Sequence, residues 1–214
     1  MKILLVTSTN IENRVGKTLA NKHPNSRELT TGIGIPNTIF ELQNFCQQHF
    51  PDLIINYGIC GSFNKGCPKG AVFRIDSDQF ADLGFYENQQ IVTGFEKGFQ
   101  NKNEFPFQEG KLLNNKSYNY QGPKASAITI NTVNRSAKHL QMLRRKYNAD
   151  LISMEGAAFF FTCQKLGIPN LQIRAVSNYV HEKDHKDWLI EEALHNLTIQ
   201  LENFITSCQK QSLP

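Results

Sequence analysis

Short apolar runs of strand length alternate along this chain with segments whose apolar residues recur at helical spacing. That alternation constrains the fold more than any other feature of the sequence. Strand-like runs occupy residues 3–6, 53–57, 71–75, 125–130, 151–154 and 171–176, and a further strand is expected just before TTGIGIPNT, residues 30–38. The 36–49 segment carries Ile39, Leu42, Phe45 and Cys46 at helical spacing, with Pro36 at a favoured first position. A second helix is predicted over about 134–147. A third covers 156–166 and is stopped by Gly167 and Pro169. A fourth, over 187–205, is amphipathic through Leu189, Ala193, Leu197, Leu201 and Phe204. Strand alternating with helix argues an α/β sandwich around a largely parallel sheet. The stretch 85–123 breaks the pattern. It is rich in Asn, Gln, Lys, Gly and Phe and has little periodicity, so it is read as loops and short strands, serving as an interface or a lid.

A length of 214 residues suits one domain spanning 1–214, and a 40% hydrophobic fraction suffices for a core. The formal net charge is only +4. Its densest basic cluster, Arg144-Arg145-Lys146, reads as the solvated C-terminal turn of a helix rather than a nucleic-acid footprint. Five cysteines, none in C-x-x-C spacing, argue against a disulfide framework or a zinc site and fit a reduced, cytoplasmic setting. The opening MKILLVTSTN holds an apolar run too short for a signal-peptide core or a membrane span, so it is expected to be a buried strand, with no membrane attachment.

In α/β sheets, ligands bind beyond the carboxyl ends of the strands. The segments after the predicted strands are polar or glycine-rich: residues 8–12, TTGIGIPNT, NYGICGSFNKG at 56–66, Met154-Glu155, and Ser177-Asn178. The glycines alone have a plain reading as tight turns. TTGIGIPNT lacks the third glycine of a dinucleotide fingerprint, and GICGSFNKG lacks the G-K-[ST] of a phosphate loop. Glu155 is the more informative residue. In SMEGAAFFF, residues 153–161, a carboxylate is flanked by apolar residues on both sides. Its burial costs several kcal/mol, roughly, unless something pairs with it. From the stretch alone, a carboxylate stabilising a helix N-terminus is as good an account as a functional one.

Taken in order, an N-terminal Glu, GIGIPNT, NYGICGSF, SMEGAA and QIRAVSN resemble the purine nucleoside phosphorylase and nucleosidase family over nearly the whole chain. SMEGAA with IRAVSN after it is the more specific part. Within the family, ADLGF at 81–85, MEGAA and RAVSN are most similar to the branch that hydrolyses futalosine to hypoxanthine and dehypoxanthine futalosine, on a route to menaquinone. The resemblance implies a three-layer α/β/α sandwich with a mixed, largely parallel central sheet. It implies no metal or organic cofactor, a small-molecule nucleoside substrate, and a homo-oligomer.

The resemblance also assigns roles. Glycosidic cleavage of a nucleoside builds positive charge on the ribose. A carboxylate on the ribose hydroxyls fixes the sugar and favours that charge, which is the role implied for Glu155, with Met154 packing the sugar face. The family's phosphorylases place an arginine just before the glycine loop, where this chain has Ile54-Ile55-Asn56-Tyr57. Its hydrolases use an N-terminal glutamate to activate water, and Glu12 takes that place, with Arg174 and Ser177 expected to help hold the water. An ordinary helix acid and a structural ion pair are the plain alternatives for Glu12 and Arg174. Arg14 keeps phosphate use open. Adenine-cleaving relatives carry Asp where this chain has Asn178. An amide offers a donor to a 6-oxo group and an acceptor to a protonated N7, so Asn178 implies a 6-oxopurine.

The base-binding stretch falls on Thr132 and Val133, and the binding loop on Ile59, Cys60 and Gly61, with Phe63 as the stacking candidate. Phe159, Phe160 and Phe161 read as helix core. Because Asn cannot act as an acid, His181 or Asp184 in HEKDH, or water, is left to protonate the base. HEKDH is not H-E-x-x-H, although His181 and His185 would share a helix face. The alternatives are an adenine-releasing methylthioadenosine/adenosylhomocysteine nucleosidase, a phosphate-dependent phosphorylase, and a nucleoside-binding protein with no activity.

Overall fold

The computed structural model describes residues 1–114, 120–182 and 184–211. Residues 115–119 of the aperiodic stretch and Lys183 of HEKDH lie outside the described residues. In chain order the elements are β1 (Ile3–Thr7), α1 (Asn13–Lys22), β2 (Ser26–Thr30), α2 (Ile35–Gln48), β3 (Leu53–Ser62), β4 (Val72–Asp78), β5 (Gly84–Glu87), β6 (Gln90–Thr93), β7 (Leu112–Leu113), β8 (Lys124–Thr129), α3 (Ala137–Tyr147), β9 (Leu151–Ser153), α4 (Gly156–Lys165), β10 (Asn170–Tyr179) and α5 (Ile190–Gln211).

The main sheet is mixed and mostly parallel, in the order β10-β4-β8-β9-β3-β1-β2. β3 also pairs with β10, which closes β3, β10, β4, β8 and β9 on themselves and leaves β1 and β2 as an extension. The sequence pattern does not anticipate that closure, because β3 is longer than its apolar run. The strand predicted over 53–57 continues through the glycine-rich stretch to Ser62. Its first half pairs with β1 as far as Asn56, and its last residues, Gly61 and Ser62, pair with β9. Between them, no strand among the described residues lies beside that edge of β3, and the candidate site side chains gather at that gap.

Helices cover both faces. Val15 and Leu19 of α1 and Ala193, Leu197 and Leu201 of α5 pack on one apolar cluster with Ile3, Leu5, Ile55 and Ile173. Leu42 and Cys46 of α2 and Phe159, Phe160 and Cys163 of α4 pack on the other with Leu4, Val6, Ile54 and Ile75. The alternation explains both, since successive residues of a strand face opposite sides. Helix α1 is not evident from the sequence. Its apolar face is only Val15 and Leu19 among polar residues, with Gly16 pressed against the hydroxyl of Tyr57. Helix α3 ends as its composition predicts, with Arg144, Arg145 and Lys146 in the last turn and Asn148 in the left-handed region at φ 45°. Lys146 does more than face solvent: it holds the β5–β6 hairpin through Glu96 and the carbonyl of Ile91. Among the described residues, no helix is long and apolar enough to cross a membrane.

Candidate active site

Glu12 comes after β1 and immediately precedes α1, and its side chain does not cap that helix. It folds back instead. Oε2 accepts the hydroxyls of Thr7 (3.0 Å), Ser8 (3.0 Å) and Thr9 (2.7 Å) and the N–H of Thr9 (3.1 Å). Oε1 accepts the N–H of Ile59 at 2.9 Å. That N–H is available because β1 has ended and β9 has not begun along this edge of β3. Five donors are how this fold keeps a carboxylate in a 4% exposed position.

Gly58 makes the approach possible. A Cβ there would fall 2.6 Å from Glu12 Oε1 and 2.9 Å from Arg174 Nη1. Gly58 and Gly61 of NYGICGSFNKG are therefore not turn residues: they lie inside β3, where a missing side chain admits a neighbour. At Gly61 the neighbours are Ile152, Val180 and Asn178. We expect Gly58→Ala to displace Glu12 and Arg174. It should cost about 1–3 kcal/mol in denaturant unfolding and lower turnover more than binding. Wild-type stability together with wild-type turnover would contradict this geometry.

Glu155 sits between β9 and α4, 8% exposed. Its Oε1 accepts the N–H of Gly34 at 3.1 Å. Gly34 precedes α2 at φ 91°, a backbone that favours glycine, with Pro36 in the helix's first turn. TTGIGIPNT thus delivers a helix N-terminus onto the carboxylate, where the backbone dipole favours negative charge. Burial still dominates and raises the Glu155 pKa. Glu12's charge adds to that, while Arg174 and the Gly34 N–H pull it down.

Beneath Glu155 a buried relay fixes the start of α4. Thr129 Oγ1 donates to Asp78 Oδ1 (3.0 Å) and accepts the N–H of Ala157 (2.7 Å), and Gln172 donates to Asp78 Oδ2 (3.1 Å). Burial pushes the Asp78 carboxyl up to about 6, against the hydrogen bonds and the charge of Arg174.

Ser177 is the extra residue of a bulge in β10: Val176 pairs with Cys60 and Asn178 with Gly61. Bulges re-aim side chains, and this one turns Asn178 inward. Asn178 Oδ1 accepts from Ser177 Oγ (2.8 Å), and Nδ2 donates to the Tyr179 carbonyl (3.1 Å). With that assignment the amide keeps one N–H and one oxygen lone pair for a ligand.

A cavity of about 400 Å³ joins these groups. Its wall includes Glu12, Glu155, Met154, Ser177, Asn178, Ile59, Cys60, Gly61 and Val133. The thiol of Cys60 is pushed up to about 12 by burial, against the charge of Arg174, so it stays protonated and is no nucleophile.

Three of the residues singled out in the sequence lie elsewhere. Phe63 packs in an apolar cluster with Ile128, Ile130 and Leu143. Thr132 is exposed, its N–H donated with that of Asn131 to Asp82. Arg174 lies behind the wall, 3% exposed, with its guanidinium donating to Asn56 Oδ1. The proton-donor candidates are also outside the cavity: His181 stacks on Tyr179 and Asp184 caps a short turn.

Sequence reasoning misses Gly34's contact, Ile33, Ile152 and Val180, and a corner made by Arg135, His185 and Trp188. The single tryptophan of the chain, in a polar loop after a strand, is the available signal for that corner.

The sequence model of the phosphorylase superfamily matches residues 28–209. The chain is 29% identical to a futalosine hydrolase of Thermus thermophilus over 79% of its length and 76% of that protein's. It is 30% identical to a futalosine hydrolase of Streptomyces coelicolor over 69% of its length and 62% of that protein's. The fold matches the native structure of futalosine hydrolase of Helicobacter pylori with a TM-score of 0.79, covering 97% of this chain and 98% of that one at 13% identity, a likeness of fold.

Proposed function

The chain belongs to the phosphorylase superfamily, and from that premise we propose that it hydrolyses the N-glycosidic bond of futalosine, releasing hypoxanthine and dehypoxanthine futalosine for menaquinone synthesis. The reading takes residues 1–214 as one domain, a three-layer α/β/α sandwich, working in the cytoplasm as a homo-oligomer without metal or cofactor.

The observation that carries hydrolysis over phosphorolysis is the seat of Glu12. The hydroxyls and N–H groups that would welcome an anion at the end of β1 and along β3 already hold a fixed carboxylate. A phosphate placed beside it would meet like charge in a low-dielectric pocket, whereas a water would meet a base. Oε1 accepts one N–H and keeps a lone pair for that water. Its proton passes to Glu12 as its oxygen bonds to the anomeric carbon, the glycosidic electron pair leaves with the purine, solvent water protonates the departing base, and Glu12 returns its proton to solvent. Glu155 holds the ribose hydroxyls and offsets the charge growing on the ring. Met154 packs against the sugar. Arg174, buried behind both carboxylates, acts through its charge on Glu155 rather than by touching water.

Asn178 selects the base. Its free N–H meets the 6-oxo group and its oxygen meets a protonated N7, while an exocyclic amine at that place would face a donor. Asn178→Asp is expected to lower hypoxanthine release from futalosine by about a hundredfold and to raise adenine release from methylthioadenosine. An unchanged ratio between the two substrates would remove Asn178 from base selection.

The reading itself is tested by incubating the protein with futalosine, inosine and methylthioadenosine, with and without phosphate, and identifying the released base. Phosphate-independent hypoxanthine release from futalosine is expected. Adenine release would favour a methylthioadenosine nucleosidase, a strict phosphate requirement would favour a phosphorylase, and binding without turnover would leave a nucleoside-binding protein.

A further inference from the structure

One corner of the cavity has chemistry that neither the sugar nor the base uses. Arg135, on the loop between β8 and α3, and His185 and Trp188, on the loop between β10 and α5, share the wall with Glu12 and Asn178. The guanidinium of Arg135 lies over the Trp188 ring, 5.4 Å from its centroid. His185 stacks on the same ring, with centroids 4.2 Å apart and planes 19° from parallel. Arg135 Nη2 is 3.2 Å from His185 Nε2. A guanidinium only donates, so Nε2 accepts and the ring proton sits on Nδ1.

Among the described residues lining the cavity, Arg135 is the single lysine or arginine. Beyond Trp188 the cavity shares Ile11 and Ile190 with an outer groove, where the charge of Arg14 is already matched by Glu191 at 2.7 Å. A stacked pair of planar rings with a cation against it presents an aromatic surface and a positive charge to a flat, anionic group.

We propose that the Arg135–Trp188–His185 corner receives the 5′ substituent of the nucleoside and selects an aryl carboxylate, the carboxylate on Arg135 and the ring against Trp188. This rests on the futalosine reading, because the 5′ arm of that substrate ends in a benzoate.

The test compares futalosine with its carboxyl methyl ester, which differs only in charge. Wild-type protein is expected to favour the acid in kcat/KM by about ten- to a hundredfold. Arg135→Met keeps bulk over Trp188. It should lose that preference, with the acid slowed by the same factor and the ester changed by less than about twofold. Arg135→Lys should restore part of the preference, and Arg14→Gln should leave it intact. Equal losses on acid and ester, no loss on either, or a loss that tracks Arg14 instead would overturn the assignment.

A second measurement does not depend on turnover. Trp188 is the only tryptophan, so its fluorescence reports this corner directly. Titration with 3-acetylbenzoate should give a saturable change in the wild type. The same titration of Arg135→Met, or of the wild type with neutral 3-acetylbenzamide, should give none. Identical saturation of both proteins refutes the corner. If the wild type instead releases adenine or requires phosphate, the functional reading falls, and the fluorescence titration still decides whether the corner binds an aryl carboxylate.

Discussion

Replacing Glu12 by Gln will cut futalosine hydrolysis by about a hundred- to ten-thousandfold, the range for loss of a positioned general base, while nucleoside binding survives. The amide can still accept from Ile59 through its oxygen. Its NH₂ group then faces four donors. The hydroxyls of Thr7, Ser8 and Thr9 can rotate and accept, but the N–H of Thr9 cannot, and it is left without a partner. That orphaned group should lower stability by about 1–3 kcal/mol, so the variant will melt earlier yet remain folded. Circular dichroism and the Trp188 fluorescence response to futalosine separate that modest cost from the catalytic loss. A variant that binds as well as the wild type and turns over at a comparable rate would show that Glu12 is a structural acid and that water is activated elsewhere.

The feature that makes Glu12 hard to read also makes it useful. Sequence places it a few residues after a strand, where an ordinary helix acid needs no explanation. Its distinguishing feature is the contact with Ile59, 47 residues away, and that contact exists because β3 outruns its apolar stretch. Periodicity ends β3 at Tyr57, since side-chain pattern is the only strand signal and Gly58 and Gly61 carry no side chain. The order of helices and strands is legible because both faces of the sheet are covered, which writes strands as apolar runs and helices as amphipathic stretches.

The end-of-strand rule gathers Glu12, Glu155 and Ser177-Asn178, and these residues do meet around one cavity. It misjudges residues whose direction depends on tertiary packing. Phe63 alternates away from the cavity into the cluster under α3. Arg174 is drawn in beside Gly58 and donates to Asn56, which keeps it out of the cavity wall. Arg135, His185 and Trp188 sit on two loops far apart in sequence, and nothing local ties them together.

Glu155→Gln should lower turnover by about a hundred- to a thousandfold, the scale of removing one preorganised charge from a developing cation. Its effect on stability should run the other way. Burial raises the Glu155 pKa above its ordinary 4.5. The native state therefore holds this proton more tightly than the unfolded chain does. As pH rises from the unfolded value through the folded one, the unfolded state binds fewer protons than the native state, and stability falls. Above that window the ionised carboxylate is a constant liability, which the charge of Arg174 and the N–H of Gly34 only partly offset. Glutamine keeps an oxygen for Gly34 and carries no charge, so its melting temperature at neutral pH should equal or exceed that of the wild type.

In the mechanism proposed above activity needs the ionised form, which places the acid limb of the wild-type kcat/KM profile above an ordinary glutamate's. Glu155→Gln should lose that limb along with its rate. A melting temperature several degrees below wild type at neutral pH would mean that the carboxylate stabilises the fold and that its charge is not held there for catalysis. An acid limb at or below the ordinary value would mean that another group governs it. A buried, half-compensated charge beside a helix N-terminus is what a site must hold if it is to favour a cation that exists only in the transition state.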